Sequence, residues 1–162
     1  MRVWRLAREP FCRDREGTGA FLSGGRWTPP GTRVLHAASS IALAGLEYLV
    51  HARKPPVDLV LVAIDFPAEA AIERPKLDEL PADWASPLPS EDCQAWGRNW
   101  CTAARALALA VPSVIVPEER NYVINVAHAQ MGGVELEAIR RFSFDLRLLR
   151  PALFNSSRHD AR

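Results

Sequence analysis

The chain has 162 residues, which fits one domain of ordinary size and leaves no room for a second large core. Hydrophobic residues make up 48% and charged residues 24%, a balance that excludes extended disorder. Twenty basic and nineteen acidic residues give a net charge of +1, so no overall field would attract nucleic acid or an acidic membrane surface.

Targeting and metal-binding signals are absent from the sequence. No apolar run reaches the roughly 20 residues that a membrane helix needs, and the N-terminal MRVWRLAR is followed by no long apolar stretch. The three cysteines lack C-x-x-C spacing and the four histidines form no metal-binding pattern. We therefore expect a soluble, cytoplasmic protein with ordinary thiols and no metal.

The first third of the chain predicts a glycine-rich loop, a strand end and a helix. Val34 and Leu35 are typical of the end of a short strand, and Ser39 and Ser40 offer caps to a helix from Ile41 to Arg53, with Pro55 beyond it. The preceding loop holds five of the nine glycines, which are Gly17, Gly19, Gly24, Gly25 and Gly31.

The middle of the chain predicts a strand, an irregular stretch and a long helix. Residues Asp58 to Phe66 form a continuous apolar run typical of a central strand that is buried on both faces. Residues Ile72 to Pro89 are proline-rich and indicate a surface excursion. Ser90 can cap the longest helix, reaching about Leu109, in which Trp96 and Trp100 are expected in the core.

The last part of the chain predicts sheet. Short strands are expected at Val111 to Val116 and at Tyr122 to Val126, and Val134 to Arg147 is expected to split into two strands. The polar sequence from Pro151 onward indicates a frayed tail. The predicted fold class is α+β, with a single domain at 1–150 and a tail at 151–162.

A candidate ligand-binding loop is GTGAFLSGGRW, in which Arg26 follows Gly24 and Gly25. Glycines let the backbone approach a ligand closely and expose amide donors, so a phosphate-bearing ligand would suit this loop. The spacing matches neither a Rossmann fingerprint nor a P-loop. The alternative is a turn-rich hairpin with Arg26 in a surface ion pair.

Glu47 is the second candidate. It is predicted at the margin of an apolar helix stripe, where a carboxylate must find a partner or change its pKa, and such acids serve as general bases or stabilise cations. The alternative is a boundary glutamate that reaches water. The apolar stripe consists of Ala42, Leu43, Leu46, Leu49 and Val50.

Arg26, His36 and Glu47 fall on three consecutive elements, so one pocket could hold all three.

At these residues the sequence resembles the RES domain family, the toxins of RES/Xre toxin–antitoxin pairs. The resemblance rests on GTGAFLSGGRWTPPGTRVLH, SSIALAGLEYLVH, VPSVIVPEERNYVIN and FSFDLRLL, and it extends from Val3 to Leu149 in family order. It implies a compact fold similar to ADP-ribosyltransferase toxins, with a central mixed sheet flanked by helices.

The resemblance also implies site residues. It gives Arg26, Glu47 and Ser113 catalytic roles: Glu47 stabilises charge on the ribose, Arg26 holds the pyrophosphate or ribose, and Ser113 orients the ribose or the nicotinamide amide. Substrate-binding positions are Arg26 again, the backbone amides of Gly24 and Gly25, and the side chains of His36 and Asn121. The family usually has tyrosine where this chain has His36.

The implied activity is cleavage of the nicotinamide–ribose bond of NAD+, a consumed substrate, with no permanently bound cofactor. Hydrolysis, phosphorolysis and ADP-ribosyl transfer, including transfer to one specific host protein, all stay open. So does a catalytically weak protein that acts mainly by binding its antitoxin. The implied partner is an Xre-like helix-turn-helix antitoxin, and a homodimer within that complex stays open. A nucleic-acid-binding module is disfavoured because the arginines are dispersed.

Overall fold

A computed structural model describes residues 1–52, 54 and 56–149, and these form one seven-stranded sheet with three helices. The strand order is β4-β5-β6-β2-β1-β3-β7. The strands are β1 (Arg2–Arg8), β2 (Val34–Ala38), β3 (Leu59–Asp65), β4 (Ile72–Glu73), β5 (Ala108–Pro112), β6 (Arg120–Asn125) and β7 (Glu135–Phe142), and the helices are α1 (Thr18–Ser23), α2 (Ile41–His51) and α3 (Glu91–Ala103).

The sheet is mixed, which confirms the predicted α+β class. Its strands pair antiparallel except for β4 and β5, which run parallel. β1 and β2 share only the pair Trp4 and Ala38, so these two strands part beyond that point. Within the described ranges, no helix combines the length and the apolar character that crossing a bilayer requires.

Both predicted serine caps are present. The Ser40 hydroxyl accepts the amide of Leu43 at 3.1 Å, and the Ser90 hydroxyl accepts the amide of Cys93 at 3.1 Å. Each bond satisfies an amide that the first helical turn leaves unpaired. The first of these helices, α2, ends at His51, and the predicted boundary residues Arg53 and Pro55 lie outside the described residues.

Three predicted boundaries are wrong. Val34 begins its strand rather than ending one. The helix from Ser90 stops at Ala103 instead of Leu109, because Ala104 has a left-handed backbone with φ of 47°. The strand expected at Val111 to Val116 therefore begins earlier and covers Ala108–Pro112, where all five residues are buried.

The strand expected to be central lies next to the sheet edge. β3 is buried on both faces from Leu59 to Ile64, as predicted, but it is sixth in the strand order. Burial on both faces requires only neighbouring strands and covering segments, not a central position.

The C-terminal prediction of two strands is also wrong. β7 is followed by a short 3-10 turn at Leu146–Leu148, where the Asp145 carboxylate accepts the amide of Arg147 at 2.9 Å. Phe144, just before this turn, packs against Tyr48 of α2 at a ring distance of 6.4 Å. The tail predicted from Pro151 lies outside the described residues.

The two faces of the sheet are covered differently. One face carries a continuous core that includes Leu35 and Ala37 of β2. On the other face Val34 belongs to a cluster with α3 and Trp27, whereas Ala38 belongs to a separate cluster with α2. His36 lies between these two clusters with an exposed side chain, so the second face has a gap in its cover at His36.

Candidate functional site

Glu47 lies on the side of α2 that faces the sheet. Leu43 and Ala44 are buried, and Glu47 follows them by four and three residues, which places it on the same helix face. The predicted stripe was partly wrong, because Leu46 and Val50 are exposed, as is Ala42. Glu47 therefore lies nearer the middle of the buried face than its margin, and it is half-buried.

Two side chains from the sheet hold one oxygen of Glu47. The Ser113 hydroxyl donates to Oε1 at 2.8 Å, and the Asn121 Nδ2 donates to the same oxygen in a short hydrogen bond. Within the described part of the chain, Oε2 has no hydrogen-bond partner. The carboxylate is thus fixed through one oxygen while the other stays available.

Ser113 holds Glu47 from a buried position. Its side chain is fully buried, and its hydroxyl oxygen also accepts the amides of Ile115 at 3.1 Å and Val116 at 3.2 Å. In this structure the Ser113 hydroxyl is used by Glu47 and by these two amides, and its expected role in orienting the ribose or the nicotinamide amide stays a prediction.

Asn121 and His36 share the same face of the sheet. Asn121 pairs with Ala38 and His36 pairs with Val123, and directly paired residues project from one face. His36 is therefore the diagonal neighbour of Asn121, which places their Cβ atoms about 7–8 Å apart. The structure brings the ring of His36 and the carboxylate of Glu47 to the same gap in the cover of this face.

The glycine loop lies against one side of the His36 ring. A Cβ atom at Gly25 would lie 3.1 Å from Cε1 of the His36 ring, so the loop backbone and the ring are in close approach. Gln94 of α3 fixes the loop, because its Nε2 donates to the Gly25 carbonyl at 2.9 Å.

The His36 ring is held neutral. The surrounding protein, followed by the positive charges of Arg5 and His51, lowers the pKa of His36 from 6.5 to about 4. His36 is nevertheless exposed on one side, where the cover of the sheet has its gap. With its pKa lowered, the imidazole is uncharged near neutral pH.

Arg5 of β1 is not among the residues that the sequence predicts for the site, but its charge contributes to the lowered pKa of His36. It is half-buried in β1, and burial lowers the pKa of its guanidinium, whose Nη1 donates to the carbonyl of Asp14 at 3.4 Å. The available signal was an arginine inside the apolar strand sequence VWRLA, a position where a charge is costly unless it is paired or used.

Arg26 is held by the irregular segment that precedes α3. Its Nη1 donates to the carbonyl of Trp84 at 3.0 Å and its Nη2 to that of Pro87 at 3.4 Å. Neither the alternative of a surface ion pair nor a contact with Glu47 is seen among the described residues. Arg26 directly follows Gly25, whose backbone lies against His36, but its guanidinium donates to backbone oxygens.

The two loop amides are also occupied. Gly24 donates to the carbonyl of Ala20 at 2.7 Å and Gly25 to that of Thr28 at 2.8 Å. Gly24 has φ of 65°, and a Cβ there would collide with Pro30, so glycine is required for the turn itself. Both donors are therefore paired within the chain in this conformation, and their expected binding of a pyrophosphate stays a prediction.

A cavity in the described part of the chain lies away from these residues. It has a volume of about 440 Å³ and contains none of the predicted site residues. It lies between residues 9–13 and β7, and its lining includes Cys12, Arg13, Val60 and Arg141. In the same described ranges, no three His, Cys, Asp or Glu side chains come together as a metal site requires. The candidate site is thus the open gap around His36 and Glu47.

Comparison with known proteins identifies the family. The RES domain profile matches residues 2–146. The chain is 38% identical to the Prs ADP-ribosylating toxin of Sphingobium sp., covering 92% of this chain and 97% of that one. It is 39% identical to Toxin Res of Photorhabdus laumondii, covering 77% and 81%.

A solved structure supports the fold. A chain in the crystal structure of the M. tuberculosis MbcT–MbcA toxin–antitoxin complex aligns with a TM-score of 0.68 at 19% identity, covering 88% of this chain and 84% of that one. Sequence and fold agree over nearly the whole chain. It therefore belongs to the RES domain family of toxins.

Proposed function

We propose that this protein is the toxin of a toxin–antitoxin pair and acts on NAD+ by breaking the bond between nicotinamide and ribose. The observation that carries the proposal is Glu47, whose Oε1 is fixed by Ser113 and Asn121 while Oε2 has no described partner. A carboxylate held in this way beside an open gap suits the stabilisation of a cation.

The chemistry calls for such a carboxylate. As the nicotinamide–ribose bond breaks, positive charge develops on the ribose, and a negative group already in place stabilises that charge without reorganising. Because the two donors hold Oε1, the carboxylate does not need to change its rotamer during the reaction. Ser113 and Asn121 are positioning residues in this mechanism, and Glu47 is the catalytic residue.

His36 contributes a flat, uncharged surface. The nicotinamide ring of NAD+ is cationic, so a protonated imidazole next to it would repel the substrate. The lowered pKa of His36 keeps the ring neutral, and a neutral imidazole can stack in the place where the family usually has tyrosine. The substitution therefore does not by itself argue for an inactive protein.

The arginines supply positive charge for the substrate phosphates. The charge of Arg5 contributes to the lowered pKa of His36, and Arg26 directly follows Gly25, whose backbone lies against the same ring. For Arg26 to bind a phosphate, its guanidinium must exchange the carbonyls of Trp84 and Pro87 for phosphate oxygens. Bidentate pairing with phosphate is stronger than bonding to neutral carbonyls, which favours that exchange.

The second half of the reaction needs an acceptor. The bond from ribose to nicotinamide breaks, a bond from ribose to the acceptor forms, nicotinamide leaves with the bonding electrons, and the acceptor loses a proton. The name of the relative from Sphingobium favours transfer to a protein side chain, whereas water or inorganic phosphate would use the same first half of the site. The toxin–antitoxin complex found for the structural neighbour supports an antitoxin as the partner of this chain.

The decisive experiment measures nicotinamide release from NAD+ by the purified protein, with and without inorganic phosphate and with a cell extract as a source of protein acceptors. We expect Glu47→Gln to lower the rate by about 100-fold or more, the loss typical of removing one preorganised charge. Glu118→Gln is the matched control, because Glu118 is an exposed glutamate close in the chain to Ser113.

The outcomes test the site, the activity and the acceptor separately. Equal rates for Glu47→Gln and the parent would refute the site. No nicotinamide release by the folded parent under any of the three conditions would refute the activity and would favour a protein that acts by binding its antitoxin. Transfer of labelled ADP-ribose to an extract protein would select the acceptor.

A further inference from the structure

The sheet ends in a long strand with a free edge. β7 is last in the strand order and pairs only with β3, so the outer backbone groups of β7 have no strand partner in the described part of the chain. Six of its eight residues are exposed, including Ile139 at 39%. The opposite edge is formed by the two-residue strand β4. An exposed edge as long as β7 is a template for another strand.

The charges along β7 are arranged to complement themselves. Glu135 and Glu137 occupy its first half, and Arg140 and Arg141 occupy its second half. If two copies of β7 run antiparallel about a two-fold axis, the acidic half of each strand meets the basic half of the other. Opposite charges that face each other across strands stabilise the pair, whereas like charges destabilise it.

A bulge sets the register of this pairing. Arg140 pairs with Leu61 and Ala138 pairs with Val62, so Ile139 is an extra residue in β7. Ala138 and Ile139 thus fill one position of the ladder, with Glu137 and Arg140 on either side. In an unbulged strand, residues three apart project from opposite faces, but here Glu137 and Arg140 share a face.

Glu137 and Arg140 are both able to take a new partner. Glu137 is 63% exposed, and its closest cation is Arg2 at 3.6 Å. Arg140 donates to the carbonyl of Arg141 at 3.1 Å and lies 5.3 Å from the ring centre of Phe142, and among the described residues it has no carboxylate partner.

We propose that β7 is a homodimer interface in which two copies pair antiparallel about a two-fold axis at the bulge. Glu137 of each copy lies opposite Arg140 of the other, and the two seven-stranded sheets become continuous. The occupant is a second copy of this chain because the pattern complements itself, with two identical ion pairs from one register. The inference is independent of the proposed activity on NAD+.

The test uses charge reversal and analytical ultracentrifugation of the full chain. The parent is expected to dimerise in a concentration-dependent way. Glu137→Arg and Arg140→Glu each place like charges opposite each other twice, so each is expected to weaken the dimer by about tenfold or more. An equal mixture of the two variants restores both ion pairs and is expected to form a heterodimer. The double variant E137R/R140E is again self-complementary and is expected to dimerise like the parent.

The pattern across the five samples separates the interface from a folding defect. Circular dichroism shows whether each variant is folded, and a variant that fails to fold is replaced by Glu137→Gln or Arg140→Gln, which is expected to weaken the dimer less. A monomeric parent at its highest soluble concentration would overturn the proposal. So would single variants that dimerise as tightly as the parent, or a mixture that stays monomeric although both chains are folded.

Discussion

The two halves of the candidate site are held in different ways. Glu47 of α2 is fixed by Ser113, directly after β5, and by Asn121 of β6, so the helix and two neighbouring parts of the sheet determine its position. Arg26 is fixed by backbone carbonyls of the irregular segment that contains Trp84 and Pro87. The carboxylate half is built into the sheet and α2, and the arginine half depends on a segment without regular structure.

The carboxylate half is preorganised, whereas the arginine half must change its hydrogen-bond partners when a ligand binds. A carboxylate that stabilises a transition state is most effective when it is already in place, and Glu47 meets that condition. A substrate-binding arginine can exchange one set of oxygen partners for another when the ligand arrives. Variants that affect one half and leave the other intact can therefore test the division.

The largest effect is expected at the contact that fixes the glycine loop to α3. A Cβ atom at Gly97 would lie 1.7 Å from the carbonyl oxygen of Trp27, so Gly97→Ala must move the helix or the loop backbone. We expect the free energy of unfolding to fall by about 3 kcal/mol or more, as measured by urea denaturation. If the variant folds, KM for NAD+ should rise because the Arg26 loop is displaced.

Gly19→Ala is the control for that substitution. Gly19 lies in α1, and a Cβ there would meet nothing within 4 Å. Alanine is also a better helix former than glycine, so this variant should be as stable as the parent or slightly more so. Equal stability of Gly97→Ala and the parent would contradict the close contact between α3 and the loop.

The sequence predicted the carboxylate half better than the arginine half. Glu47 could be recognised because a charged residue on the apolar side of a helix is unusual. That Ser113 and Asn121 bond to it could not be read from spacing, because they lie 66 and 74 residues away and only strand pairing brings them there.

The hydrogen-bond partners of the glycine loop could not be predicted for a related reason. The sequence predicts exposed amides at Gly24 and Gly25. In the structure these amides donate to the carbonyls of Ala20 and Thr28, which lie within or next to the tight turn itself. Local sequence indicates that a loop is glycine-rich, and it does not indicate which carbonyls the loop will fold back upon.

An intermediate effect is expected for the two residues that hold Glu47. Asn121→Ala removes one donor to Oε1, and the carboxylate gains freedom to rotate. Because misplacement of a catalytic group can cost up to about 100-fold, we expect kcat to fall by about tenfold with little change in KM. Steady-state kinetics of nicotinamide release checks this split.

Ser113→Ala sharpens the same test. It removes the other donor and also leaves the amides of Ile115 and Val116 without their acceptor. The free energy of unfolding should therefore fall as well, by about 1–3 kcal/mol. A rise in KM with unchanged kcat for either variant would mean that the residue contacts the substrate and does not act through Glu47.

The smallest expected effect concerns His36, which lies between the two halves. Its pKa is lowered in the folded protein to about 4, against 6.5 as its ordinary value. The unfolded chain therefore binds more protons than the folded one between these values. The contribution of His36 to stability is fully present above about pH 6.5 and is lost as the pH falls toward 4.

His36→Tyr and His36→Gln remove this titration, and tyrosine is the residue usual in the family. The urea midpoint of each protein is measured at about pH 7 and at about pH 5. The decrease from the higher to the lower pH should be larger for the parent than for either variant. The difference should be small, because water reaches the ring and screens its charge. The carboxylates that also titrate in this window are common to all three proteins and cancel in the comparison. Parallel losses in all three proteins would show that His36 is not held neutral by its surroundings, and the stacking role proposed for it would lose its electrostatic basis.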